Sequence, residues 1–150
     1  MSDVLLHSPE DAHAFGAALA RFANPGDAIA LSGPLGAGKT SIARGLLAAL
    51  GLMEEAPSPS FAIVQPYEPP ETRFPVLHVD LYRIEHADEA EELGLDEARL
   101  DALLVVEWPE RLPDSAWEDA LWLTLTPEAD GTRRLTAKVP PSWKARWPLT

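Results

Sequence analysis

Apolar positions along this chain change period several times, and the changes predict helices and strands in alternation. Phe15, Leu19 and Phe22 stand at helical spacing. Ser8-Pro9-Glu10-Asp11 precedes them with the order of a helix start: a capping serine, proline at the first turn, then acids. Asn24-Pro25-Gly26-Asp27 is a turn. Ala28 to Leu31 is a short apolar run, as in a buried strand, and Ile42, Leu46, Leu47 and Leu50 then return to helical spacing before Gly51. Ala62 to Tyr67 is a short strand, Glu68 to Arg73 a polar connection, and Phe74 to Asp80 a strand ending in an acid. Glu85 to Asp101 is an acidic helical region that Gly94 divides in two. Leu103 to Glu107 is the strongest buried-strand signal; it also ends in an acid, and Trp108-Pro109 stops it. Leu121 to Leu125 and Arg133 to Val139 alternate, and Glu128 to Gly131 joins them as a hairpin. The tail from Ser142 to Pro148 is expected to be loosely packed.

Between the Ala28 strand and the Ile42 helix lies Gly33-Pro34-Leu35-Gly36-Ala37-Gly38-Lys39-Thr40, followed by Ser41. It fits the phosphate-binding loop G-x-x-x-x-G-K-[ST] at every fixed position. Its glycines let backbone N–H groups approach phosphate oxygens, and the helix start behind it adds partial positive charge. Lys39 suits the β- and γ-phosphates, and the Thr40 hydroxyl suits Mg²⁺. The expected fold is therefore α/β: a P-loop NTPase-like three-layer sandwich with a mixed, mainly parallel sheet. The late hairpin is its antiparallel part. A chain of 150 residues has room for one such domain, residues 1–150.

Composition narrows the chemistry. There are no cysteines, which excludes disulfides, thiol nucleophiles and thiolate metal sites. No apolar run is long enough to span a membrane, and Met1 to His7 lacks the basic region of a signal peptide, so the cytoplasm is the expected compartment. Net charge is −12, with eighteen acids and four basic residues in the stretch 51–125. Such a chain is a poor nucleic-acid binder without a basic partner.

A phosphate loop needs an acid at a neighbouring strand end to complete a Mg²⁺ site. Asp80 and Glu107 both qualify; one would ligate the metal, and the other would act through water or orient it. Pairing of Asp80 with Arg83 is the plain alternative. His78 shares a strand face with Asp80 and reads as a packed histidine or a catalytic or metal-binding one. Arg83, Arg111, Arg133 and Arg134 are candidates for neutralising transition-state charge. Ser60 lies in a loop where nucleotide-switched proteins hold a hydroxyl near the γ-phosphate. Trp108 is a core residue, a partner contact or an aromatic near the nucleotide.

Four blocks, in this order and spacing, resemble the TsaE (YjeE) family of P-loop ATPases of tRNA threonylcarbamoyladenosine biosynthesis. They are Gly33–Ser41, Ser58-Pro59-Ser60-Phe61, His78-Val79-Asp80-Leu81-Tyr82-Arg83 and Val106-Glu107-Trp108-Pro109-Glu110-Arg111. The resemblance implies that residues 33–40 hold the phosphates of ATP and that Thr40 and Glu107 ligate Mg²⁺. It implies that Asp80 serves hydrolysis, that Trp108 is functionally important, and that Ser8–Asp11 and the residues after Trp108, Glu110 among them, lie near the base. An arginine around position 133 would also reach the nucleotide. Ser60 departs from the family's usual threonine and keeps the hydroxyl. The implied partners are TsaD and TsaB, with tRNA reached only through them, and the implied output is a resetting of their complex. A nucleotide-gated scaffold with little catalysis and a small-molecule kinase are the competing readings. No Asn-Lys-x-Asp guanine reader is present, which favours ATP over GTP.

Overall fold

The structure is a computed structural model that describes residues 3–34, 38–53 and 64–147, apart from the side chain of Ala87. Leu35, Gly36, Ala37, Ser60 and the rest of the 58–61 block lie outside the described residues. Seven strands form one sheet in the order β1-β7-β6-β2-β5-β4-β3. They are β1 (Asp3–Leu6), β2 (Ala28–Ser32), β3 (Val64–Tyr67), β4 (Val76–Asp80), β5 (Leu103–Glu107), β6 (Leu121–Pro127) and β7 (Arg133–Lys138). The central strands β6, β2, β5 and β4 run parallel, and β7 and β3 join them antiparallel on either side. Because β1 pairs antiparallel with β7, five of the seven strands share one direction, so the sheet is mixed and mostly parallel.

Alternation along the strands sends side chains to two helical layers. Ile29, Leu31, Leu103 and Val105 face α1 (Pro9–Ala20) and α2 (Lys39–Ala49), meeting Phe15, Leu19, Ile42 and Leu46. Ala28, Ala30, Leu104 and Val106 face the other way, onto Leu81, Ile84, Leu95 and Trp117. That second layer carries α3 (Ala87–Glu91) and α4 (Leu95–Ala98), with Gly94 between them as the sequence predicts. The Ser8 hydroxyl caps α1 by accepting from the Asp11 N–H at 3.1 Å.

One strand carries no sequence signal, and one expectation needs correction. The N-terminus forms β1, an edge strand too short to produce a readable period; its pairing with β7 makes it a strand. The tail is well packed as far as it is described. Trp143 is fully buried, and Trp147 meets Phe15 edge-on at 6.4 Å. The Arg146 guanidinium donates to both Asp27 carboxylate oxygens, at 2.6 and 3.0 Å, and lies 4.3 Å from the Trp143 ring centre. Two tryptophans bring enough apolar area to anchor a segment that has no regular period.

The α1–α2 contact sets where the phosphate loop delivers its helix. A Cβ placed on Gly16 would lie 1.9 Å from the Ile42 carbonyl oxygen, and one on Gly45 would lie 1.9 Å from that of His13. The helices approach backbone to backbone at both points. Gly45→Ala is therefore expected to cost about 3 kcal/mol or more, the upper range for overpacking against rigid backbone. Urea unfolding measures it; a loss of only a few tenths would mean the helices separate without penalty.

Candidate functional site

Three elements end at one corner of the molecule. β2 stops at Ser32, just before the phosphate loop, and β4 and β5 stop side by side at Asp80 and Glu107, which are register partners. The chain re-enters at Gly38, whose φ of 106° lies in the region that glycine occupies without strain, and α2 starts at Lys39. The register thus brings the loop lysine, the loop threonine and both strand-end acids together. This corner is the carboxyl edge of the parallel strands, where α/β sheets receive ligands.

The polar contacts form a continuous set. Thr40 Oγ1 lies 3.0 and 3.2 Å from the two Glu107 carboxylate oxygens. His78 Nε2 lies 2.7 Å from Glu107 Oε2. Asp80 Oδ1 accepts the Tyr82 N–H at 2.8 Å. Lys39 is only 4% exposed; its ammonium donates to the Gly33 carbonyl at 2.5 Å and sits 3.5 Å from the centre of the Trp108 ring. Burial lowers the Lys39 pKa, and the nearby carboxylates of Glu107, Glu110 and Asp80 oppose that shift. Burial likewise raises the Asp80 carboxyl. The Tyr82 N–H pulls it back, Glu107 adds to the rise, and Lys39 and His78 counter it.

Trp108 is strained as well as central. Its φ of 61° makes it the one non-glycine residue with positive φ among the described residues, at a cost of about 1–2 kcal/mol. The bend directs the indole over Lys39 on one side and to within 4.9 Å of the Tyr82 ring on the other. Arg111 in turn stands 5.3 Å from the Tyr82 ring centre. Cation, indole, phenol and cation form one stack from the buried loop to the exposed surface.

A cleft of about 330 Å³ opens over this corner, at the small end of the range for ligand sites. Gly38, Lys39, Thr40, Ser41, Asp80, Glu107 and Trp108 line it, together with Ser8, Pro9 and Arg133. Gly33 and Pro34 lead into the loop, and Gly33 is also the lysine's carbonyl partner. Of the four arginines considered, Arg133 lines the cleft and donates to the Gly131 carbonyl. Arg134 is tied to Glu128 and Asp3 at 2.6 and 3.3 Å, and Arg111 belongs to the stack. Glu110 is not among the cleft-lining residues: the 3-10 turn Pro109–Arg111 carries it back to β2, where it accepts from the Ser32 hydroxyl at 2.5 Å. Sequence reasoning passed over Ser32, whose place at the end of an apolar strand just before the loop was the available signal. It also passed over Leu6, His7 and Gly131, which reach the cleft through β1 and the β6–β7 turn.

The family model for the threonylcarbamoyl adenosine biosynthesis protein TsaE matches residues 6–135. The chain is 35% identical over 130 residues to the tRNA threonylcarbamoyladenosine biosynthesis protein TsaE of Bacillus subtilis, covering 86% of this chain and 80% of that one. It is 40% identical over 111 residues to the protein of the same name from Streptomyces coelicolor, covering 73% and 75%. The crystal structure of Bacillus subtilis YdiB superposes with a TM-score of 0.74 at 30% identity, over 93% of this chain and 86% of that one.

The raised Asp80 carboxyl has a consequence for stability. A carboxyl raised in the folded state adds stability below its unfolded value, near 3.8, and that contribution is lost as pH rises through the folded value. A carboxylate in this buried place is thus a net burden on the nucleotide-free fold. Asp80→Asn should raise the melting temperature at pH 7 without nucleotide by about 2–4 °C, corresponding to on the order of 1 kcal/mol. The gain should shrink as pH falls towards 3.8. A lower melting temperature for Asp80→Asn than for the parent at pH 7 would contradict this.

Proposed function

The chain belongs to the TsaE family, which serves threonylcarbamoyladenosine biosynthesis on tRNA, and from that premise we propose that it is a magnesium-dependent ATPase that binds and resets a TsaB–TsaD complex during the modification. The observation that carries this reading is the meeting of Lys39, Thr40 and Glu107, with Asp80 alongside, at the start of the helix that follows the phosphate loop. No other class of chemistry needs a buried lysine, a helix N-terminus and two strand-end acids in one cleft as directly as phosphoryl transfer does.

The donor set fits Mg²⁺. Thr40 and Glu107 offer hard oxygen ligands 3.0 Å apart. Among the described residues no group of three or more His, Asp or Glu side chains could cage an ion alone, so phosphate oxygens and water would complete the shell. Thr40 and Glu107 would hold the ion; when bound, it neutralises charge developing on the phosphates. Lys39 would exchange the Gly33 carbonyl for a phosphate oxygen. The backbone at the start of α2 supplies N–H donors to the same group. Asp80, held by the Tyr82 N–H, would orient the attacking water. Arg133 also lines the cleft, from which it would meet the nucleotide.

Coupling to partners has a physical route. When Lys39 turns to phosphate it leaves the Trp108 ring, and the stack ends at the exposed Tyr82 and Arg111. A change in nucleotide would therefore alter a surface that a partner can touch. The acidic stretch 85–101 suits docking beside a basic, tRNA-binding surface better than contact with tRNA itself.

Lys39→Ala should weaken ATP affinity at least about tenfold, the loss of one charged hydrogen bond, while leaving the fold intact. Glu107→Gln should weaken Mg²⁺-dependent binding more than Asp80→Asn does, and Asp80→Asn should keep more binding while losing hydrolysis. Calorimetry with ATP and with Mg²⁺ decides both; the reverse order would exchange the roles of the two acids. The isolated protein should hydrolyse ATP slowly and bind the TsaB–TsaD pair with different affinity in the ATP, ADP and nucleotide-free states. Linkage then requires the pair to change ATP affinity by the same factor, typically about 5–150-fold. Equal partner affinity in all three states would refute the resetting role.

A further inference from the structure

His78 is fully buried on β4, between the apolar Leu77 and Val79, in a strand whose neighbour is the Leu103–Glu107 run. A position that needed packing alone would be filled at lower cost by an aliphatic side chain, because a buried polar ring must satisfy its nitrogens or lose hydration. Only one nitrogen is satisfied. Nε2 meets Glu107 Oε2 at 2.7 Å, and Nδ1 is buried with no hydrogen-bond partner among the described residues. A proton on Nε2 and a bare Nδ1 is therefore the arrangement that leaves no buried N–H orphaned.

We infer that His78 is a positioning residue for Glu107: its Nε2–H holds one carboxylate oxygen so that the other stays on Thr40. The strand geometry permits this because His78 and Asp80 point to the same face of β4, and Asp80 is the register partner of Glu107, so the imidazole reaches Glu107 diagonally. Glu107 has no other side-chain hydrogen-bond partner among the described residues than His78 and Thr40. Its competing attraction is the buried ammonium of Lys39, whose charge it already feels. Without the histidine, the carboxylate is free to turn towards that lysine. It would then abandon the threonine, and the two oxygens offered to the ion would no longer stand together. His78 thus keeps two opposite charges in the same small space assigned to different tasks.

This inference rests on the reading of Thr40 and Glu107 as the magnesium pair, and the experiment separates the two. Mg²⁺ is titrated against the whole protein with ADP, nucleotide affinity is measured in EDTA, and melting is followed without nucleotide. His78→Phe keeps a ring without a donor, and His78→Gln returns an amide N–H near the place of Nε2. The Phe variant should bind Mg²⁺ about tenfold or more weakly, the usual scale for losing an outer-shell partner. Its EDTA affinity and melting should be preserved, and the Gln variant should recover most of the Mg²⁺ affinity. Unaltered Mg²⁺ affinity in His78→Phe, beside clear Mg²⁺ dependence in the parent, overturns this inference alone. Nucleotide binding that is independent of Mg²⁺ in the parent overturns the magnesium pair and this inference together. Should His78→Phe fail to fold, His78→Leu takes its place; failure of both, with His78→Gln folded but no better at Mg²⁺ than Glu107→Gln, makes the histidine structural and overturns the inference.

Discussion

Two carboxylates and one ammonium share a buried space at the carboxyl edge of this sheet. Lys39, Asp80 and Glu107 are each less than a tenth exposed, so none can rely on water for its charge. Everything nearby is arranged around that constraint. Lys39 borrows the Gly33 carbonyl and the face of an indole; Glu107 takes Thr40 and His78; Asp80 takes a backbone N–H from Tyr82. The partners come from three separate parts of the chain, and only the parallel register of β2, β5 and β4 brings them into one place. A fold built for stability alone would avoid this concentration of charge. Its presence in a cleft marks this corner as the candidate functional site.

The strain at Trp108 belongs to the same constraint. A positive φ in a tryptophan persists only where the surroundings hold it. Here the Trp108 N–H donates to the Leu31 carbonyl at 3.3 Å, Pro109 follows directly, and the ring is clasped between Lys39 and Tyr82. The indole therefore screens the lysine from solvent and also links it to the surface.

The second layer has a different character. The α1–α2 layer is tightly closed, glycine against backbone. The opposite layer is made of the short helices α3 and α4 and the 3-10 turn Asp114–Trp117, with acids on its outer side. Its apolar anchors are few: Ile84, Leu95, Trp117 and their neighbours against Leu104 and Val106. The closely packed layer thus carries Lys39 and Thr40 into the cleft, and the acid-rich layer lies on the other side of the sheet.

Much of this was legible along the chain. The phosphate loop, both strand-end acids, the late hairpin and the break at Gly94 follow from local rules: glycine spacing, apolar runs and their period. Such rules act over a few residues, so they name Asp80 and Glu107 as candidates but leave their order in the sheet open. The pairing of β1 with β7 and the burial of Trp143 and Trp147 were not legible, because a four-residue edge strand and an aperiodic tail acquire structure only from what they pack against. The same holds for the small decisions inside the site. That His78 faces Glu107, that Glu110 turns back to Ser32, and that Trp108 lies over Lys39 each depend on register and on one backbone bend. Residue types and their spacing determined what chemistry this chain can hold; the register of distant strands decided which of those residues touch.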